Sequence, residues 1–181
     1  MFIEGLKELG LGSDPSKTTI TLSAGGTTAK QKQIEEYKQQ VLQKALGCTV
    51  KIDYMDWGVY QTNIVKGKYQ VASLAWTADY NDPMTEFDIW TTTSGMNFTG
   101  WSNKIYDANI AKAASTSDQT VRFYAFKENE DILVNQYAVC APLDYTQKSQ
   151  YKGKYVKGYM STLFGSSFEC KYVYVQGRDT K

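Results

Sequence analysis

The 181-residue chain contains no histidine. That absence removes the commonest general base, the commonest metal ligand and the usual activator of a serine or cysteine nucleophile, so histidine-dependent catalysis is excluded within the chain. Cysteine is scarce: Cys48, Cys140 and Cys170 lie far apart and form no CxxC pair, so neither a zinc site nor a redox motif can be read from them. Each is expected to be a small buried apolar residue or a free thiol, and no disulfide is expected. Net charge is nearly absent, with 20 Lys+Arg against 19 Asp+Glu, which leaves no broad electrostatic case for nucleic acid or an acidic membrane surface. Any partner must be recognised by a local site. No apolar run approaches the length that spans a bilayer. The first residues lack a basic stretch followed by an apolar core, so no signal peptide is read. Instead Phe2, Ile3, Leu6 and Leu9 have helical spacing and Gly10 sits at a helix stop, as in a domain excised from a longer protein, with a genuine start at Met1 as the alternative. What is present is an ordinary globular composition, 42% apolar and 22% charged, long enough for one main domain with a sizeable core.

Periodicity supplies the elements. After the Asp14-Pro15-Ser16 turn, Thr19 to Leu22 reads as a strand ended by Gly25-Gly26. From Thr27 to Leu46 the apolar Ile34, Tyr37, Val41, Leu42, Ala45 and Leu46 recur on one helical face, with Thr27 or Thr28 as N-cap and Gly47 as stop, which predicts an amphipathic helix lying on a core through that face. Cys48, Val50, Ile52 and Tyr54 alternate with polar residues, the period of a half-buried strand, and a short helix from Gly58 to Lys66 follows. Val71 to Trp76 has almost no charge on either face, as expected of a central strand covered on both sides. Strand and helix alternate as two β-α-β units, the pattern of an α/β sheet. Beyond it, Asp82 with Pro83, Ser102 or Asn103, and Asp118 cap three helices; Val139 to Tyr145 resembles a final strand, and the Tyr-rich tail supplies one more around Tyr172 to Val175.

The acidic loop directly after the most apolar strand is the most informative feature. In open α/β sheets ligands bind outside the carboxyl ends of strands, which places Trp76, Asp79, Asn81 and Asp82 well. Asp82 is better explained as an N-cap and Asn81 as a turn residue. Asp79 caps nothing; beside Trp76 and Tyr80, whose rings exclude water, it suits a charge-assisted contact to a cation. A calcium loop fails on register, because its sixth position is Met84 rather than glycine and its twelfth is Trp90 rather than glutamate. Glu35/Glu36 and Glu128/Glu130 fall on polar positions of predicted helices and read as solvated faces rather than a glycosidase pair. Gly25-Gly26 lacks both phosphate-loop patterns and reads as a strand-to-helix turn. Trp57, Trp76, Trp90 and Trp101 are the aromatic candidates for a cleft, although Trp57 is equally explained as closing a strand.

Several segments together resemble extracellular solute-binding protein family 5, the oligopeptide- and dipeptide-binding proteins of ABC importers. They are Gly5-Leu6-Lys7-Glu8-Leu9-Gly10 followed by a strand, Glu36-Tyr37 through Leu46-Gly47, Val50-Lys51-Ile52, Trp76-Thr77-Ala78-Asp79-Tyr80-Asn81-Asp82-Pro83, Gly100-Trp101-Ser102-Asn103 with Tyr106-Asp107, and Pro142-Leu143. Each alone is weak; their order and spacing are specific. The resemblance implies a periplasmic-binding-protein-like (type II) lobe, α/β, with a mixed, mostly parallel sheet flanked by helices. It implies that residues 1–148 form the C-terminal ligand-binding lobe and 149–181 a tail that returns to a first lobe. The implied function is non-enzymatic: a short peptide is bound between two lobes and delivered to ABC permease membrane subunits. No cofactor, no metal and no nucleic acid partner is implied, and the protein is expected to be a monomer. Its place is extracellular or periplasmic, with a lipoprotein anchor in the full-length protein. Carried onto this sequence, Asp79 holds the ligand α-ammonium, Trp76 forms part of a side-chain pocket, and Tyr80, Asn81 and Trp101 complete the expected ligand-binding set. Within the same fold, the alternatives are a non-peptide solute such as a sugar or metal complex, and a peptide-sensing receptor. An α/β enzyme is disfavoured by the missing histidine and the lack of a nucleophile motif.

Overall fold

In the computed structural model the described residues are all but 146, 148, 163, 165–167 and 179–181. The boundary expected at residue 148 and the last three residues of the expected tail therefore lie outside them. The chain divides into two compact units, Met1–Ala75 and Trp76–Lys181.

In the first unit, α1 (Phe2–Glu8) leads through a 3-10 turn at Pro15–Lys17 into β1 (Thr19–Gly25), α2 (Ala29–Leu46), β2 (Thr49–Met55), α3 (Trp57–Val65) and the short β3 (Val71–Ala72). The three strands are parallel in the order β2-β1-β3, with Ile20 opposite Val50 and Leu22 opposite Ile52. Each predicted stop is visible: Gly10 at φ 70°, and Gly47 left-handed at φ 69° after α2. A reciprocal capping box of Thr28 and Gln31 starts α2. Leu22, Cys48 and Val50 are buried, with Phe2, Ile20, Leu42 and Leu46 packed on them. On α3, Tyr60 is 1% exposed, and a Cβ added to Gly25 would lie 2.6 Å from its ring, so close packing rather than turn geometry alone requires glycine there. Trp57 starts α3 rather than closing a strand, and its ring stacks on Tyr60 with centroids 5.5 Å apart.

Three expectations about this unit are corrected. The face of α2 turned inward carries Glu35, Lys38, Gln39, Leu42, Gln43 and Leu46, whereas Ile34, Tyr37 and Val41 are exposed. The reason lies in the edge strand: Gln43 accepts a hydrogen bond from the Val50 N–H (3.1 Å) and Gln39 donates to the Val50 carbonyl (2.7 Å), satisfying backbone groups on the side of β2 away from β1. Glu35 is likewise no solvated carboxylate; its side chain is 15% exposed and pairs with Lys38 at 2.8 Å. The chargeless stretch Val71–Trp76 is not a central covered strand. Among the described residues it pairs only with β1, β3 stops at Ala72, and Leu74 remains 54% exposed.

The second unit is helical: α4 (Met84–Phe87), a 3-10 turn at Asp88–Trp90, α5 (Lys104–Ala114) and α6 (Gln119–Glu130), which runs on into a π-helix at Asp131–Gln136. Asn103 and Asp118 cap α5 and α6 as predicted, each side chain accepting from two backbone N–H groups. The core consists of Tyr106, Ile110, Ala113, Ala125, Phe126, Ile132 and Leu133, with Phe87 stacked on Phe126 at 5.2 Å. Asn129 is fully buried and paid for by its bonds: it accepts from Asn109 (3.0 Å) and donates to the Tyr106 carbonyl (3.1 Å). Val139–Tyr145 is irregular rather than a strand; Val139 N–H donates to the Leu133 carbonyl at 2.9 Å, and Val139 and Cys140 pack on the helical core, so the apolar pattern serves packing instead of pairing. The strand expected in the tail is present at Tyr174–Val175. β4 (Val156–Lys157) pairs antiparallel with β5 (Tyr174–Val175), so its partner lies within the tail itself. All three cysteines are free thiols, and no helix among the described residues is long and apolar enough to cross a membrane.

Candidate functional site

The acidic loop is organised by its downstream helix. Asp82 accepts from the Met84 N–H (2.8 Å) and so starts α4, and both its oxygens are also gripped by Arg122. The Arg122 guanidinium donates its other arm to the Ala113 carbonyl near the C-terminus of α5, where a cation is favoured by the helix dipole, and its Cζ lies 5.3 Å from the centroid of the Phe126 ring. One carboxylate of the loop is therefore consumed in structure, as its capping position implied.

Asp79 differs. Its backbone N–H donates to the Thr85 hydroxyl (3.1 Å), while among the described residues its exposed carboxylate accepts no hydrogen bond and enters no ion pair. Trp76, 38% exposed, donates its indole N–H to the Thr85 carbonyl at 2.8 Å. Tyr80 lies in an acidic neighbourhood. Its phenol is pushed above the ordinary tyrosine range by burial first and then by the carboxylates of Asp88, Asp82 and Asp79, with Arg122 opposing. The carboxylates in that set favour a cation in the same place, whereas burial, the larger cause, does not. Asn81 is exposed, with no side-chain bond among the described residues. The structure thus ties Trp76 and Asp79 to the same residue, Thr85, with Tyr80 next to Asp79 in the chain.

Trp101 stands apart from that group. Its ring packs edge-on against Tyr106 (5.2 Å) and Tyr137 (5.8 Å), and it is part of the helical core's margin, with its buried indole N–H unpaired among the described residues. Trp90 also packs on that core. A shallow groove of about 840 Å³ runs along α4 and α6, lined by Pro83, Phe87, Arg122, Phe123, Phe126 and Lys127 among others; none of the expected ligand-binding residues lines it.

Three organising residues escape sequence reasoning. Thr85, 3% exposed, gives no pattern that marks it. Asn97 donates to the carbonyls of Trp90, Thr91 and Trp101 and accepts from Thr99, knitting the loop ahead of α5; a lone asparagine in a polar loop carries no specific signal. Arg122 did leave one. Only two of the 20 basic residues are arginine, and arginine is what a bidentate, partly buried carboxylate contact selects over lysine.

The profile of the bacterial extracellular solute-binding proteins, family 5 Middle, matches residues 3–98, over half of the chain. The dipeptide-binding protein DppE of Bacillus subtilis is 32% identical over 155 residues, covering 86% of this chain and 28% of the relative. Among solved structures, the substrate-binding domain of an oligopeptide ABC transporter from Bacillus anthracis superposes with a TM-score of 0.84 at 26% identity, over 97% of this chain and 33% of its own. Peptide-bound OppA of Listeria monocytogenes gives a TM-score of 0.78 at 28% identity, over 96% of this chain and 32% of its own. The fold is therefore periplasmic-binding-protein-like, and the chain spans about a third or less of the length of these relatives.

Proposed function

The chain belongs to the bacterial extracellular solute-binding proteins of family 5, and from that premise we propose that it forms the C-terminal ligand-binding lobe of the peptide-binding component of an ABC importer. In this reading residues 1–148 are the lobe and 149–181 a tail that returns to a first lobe. The whole protein binds short peptides between its lobes, outside the cell membrane on a lipid anchor, and as a monomer hands them to the permease without chemical change. The observation that carries the reading is the carboxylate of Asp79, free among the described residues while its backbone and the Trp76 indole are both tied to Thr85 and nearby Asp82 is committed to Arg122. A ligand α-ammonium fits that carboxylate. Extended peptide backbone adds like a strand, which gives affinity without reading side chains, and Tyr80, Asn81 and Trp101 stand in sequence where side-chain pockets are expected. Lobe closure matters because an exposed ammonium-carboxylate pair is worth only ~0–1 kcal/mol, and excluding water strengthens it.

The test is Asp79→Asn in the full-length protein, titrated calorimetrically with a peptide bearing a free N-terminus and with its N-acetylated counterpart. Selective loss of the free peptide, about tenfold or more, is expected; equal loss for both would sink the anchor. The 181 residues alone offer one wall of the cleft, so the isolated chain is expected to bind peptide weakly or not at all. Relatives of this fold that take other solutes make ligand class the second question. Mass spectrometry of the molecule that the full-length protein retains on purification answers it: peptides of one length class support the reading, and a sugar or metal complex replaces it.

A further inference from the structure

We propose that Thr85 is the positioning residue of the ammonium subsite, fixing the anchor and the adjoining aromatic wall from beneath while touching no ligand. The inference rests on the reading of Asp79 as the anchor and adds a residue that the reading does not require. Thr85 is 3% exposed, yet all three of its polar atoms are turned to the preceding loop. Its N–H donates to the Asp82 carbonyl (3.2 Å), its hydroxyl accepts from the Asp79 N–H (3.1 Å), and its carbonyl accepts from the Trp76 indole N–H (2.8 Å).

Each bond has a separate consequence for a ligand. The tie at the Asp79 N–H holds the backbone that aims the carboxylate and leaves both carboxylate oxygens free. The tie at Trp76 satisfies the one donor of its side chain, so a ligand meets ring surface rather than a competing indole N–H. A hydroxyl buried in the first turn of a helix commonly bonds within its own helix or caps it; this one is spent on the loop. Its support runs inward, since α4 is started by Asp82, Asp82 is clamped by Arg122, and Arg122 is fastened to Ala113 of α5. Preorganisation of this kind lowers the ordering cost of binding rather than adding a contact.

The experiment uses the full-length protein with Thr85→Val, which keeps the β-branched shape and removes the acceptor, Thr85→Ser, which keeps the hydroxyl, and Thr85→Ala. Affinity for a free-amine tripeptide and for its N-acetylated form is measured by calorimetry, alongside the melting temperature. Thr85→Val and Thr85→Ala are expected to weaken the free-amine peptide about tenfold and the acetylated one by less than about threefold, with Thr85→Ser near the parent for both. Should Thr85→Val fail to fold, the contrast of Thr85→Ala with Thr85→Ser carries the same test. Equal weakening of both peptides, unchanged binding of both, or a Thr85→Ser defect as large as that of Thr85→Ala overturns the proposal. If Asp79→Asn discriminates the two peptides and Thr85→Val does not, the positioning role falls and the anchor stands; if Asp79→Asn does not discriminate, both fall.

Discussion

Each unit of the chain buries one tyrosine almost completely, and the two are used differently. Tyr60, in the sheet unit, both accepts from the Ser73 N–H (2.8 Å) and donates to the Ser73 carbonyl (2.7 Å), as a neighbouring strand would. The hydroxyl of Tyr106, in the helical unit, has one bond among the described residues, donated to the Phe87 carbonyl (2.7 Å), and its ring is surrounded by core. The difference follows from how each unit closes. Helices α5 and α6 are consecutive and pack on each other, so their core completes itself from nearby sequence. The parallel sheet has side chains of α2 at its β2 edge and only the two-residue β3 at the other, and Ile34, Tyr37 and Val41 of α2 are exposed, so a side chain stands in for backbone pairing where β3 ends. In the chain, these two ties bracket the segment that carries Trp76 and Asp79.

The largest expected effect tests that difference directly. Tyr106→Ala removes a fully buried ring from a closed core and is expected to lower stability by about 3–5 kcal/mol, read by urea unfolding; Tyr60→Ala should cost clearly less, because its ring shares its site with the half-exposed Trp57. Equal costs would mean that the sheet unit is as closed as the helical one, and the comparison would fail. Next in size is Gly25→Ala. The added methyl would lie 2.6 Å from the Tyr60 ring, and overpacking of this kind costs about 1–3 kcal/mol. In a Tyr60→Ala background that penalty should largely disappear, a coupling that a double-mutant cycle measures.

What was legible in the sequence was whatever depends on neighbours in the chain. The helix stops at Gly10 and Gly47, the Thr28, Asn103 and Asp118 caps and the β-α-β order were all readable because caps, turns and periodicity are local. The failures are tertiary. Val71–Trp76 has the composition of a covered strand, but composition records a demand for burial and not which residues meet it. The face of α2 was misassigned because Gln39 and Gln43 face inward to serve the Val50 backbone, and a pattern of apolar residues cannot announce a polar side chain with an inward task. In the candidate site, Asp82 was readable as a cap and Asp79 stood out because no local role explained it. Thr85 was invisible, since its bonds to Trp76 and Asp79 exist only once the loop has folded back on α4.

The smallest expected effects come from removing only the hydroxyls. Tyr60→Phe strands both a donor and an acceptor at Ser73, whereas Tyr106→Phe strands one carbonyl, so the first should cost about 1–3 kcal/mol and the second nearer 0.5–1.5. Alkaline pH probes the same pair without mutation. Burial, the leading cause in each case, raises both phenols above the ordinary tyrosine value; for Tyr60 the hydrogen bond with Ser73 opposes the shift and Glu35 adds to it. A raised folded value means that the stabilisation is fully present below the unfolded tyrosine pKa of about 10 and is lost as pH rises through the folded value. Stability should therefore begin to fall near pH 10, and Tyr106→Phe, which removes the more strongly raised group, should flatten that decline more than Tyr60→Phe does. A reversed order would place the drier environment in the sheet unit and undo the contrast between the two.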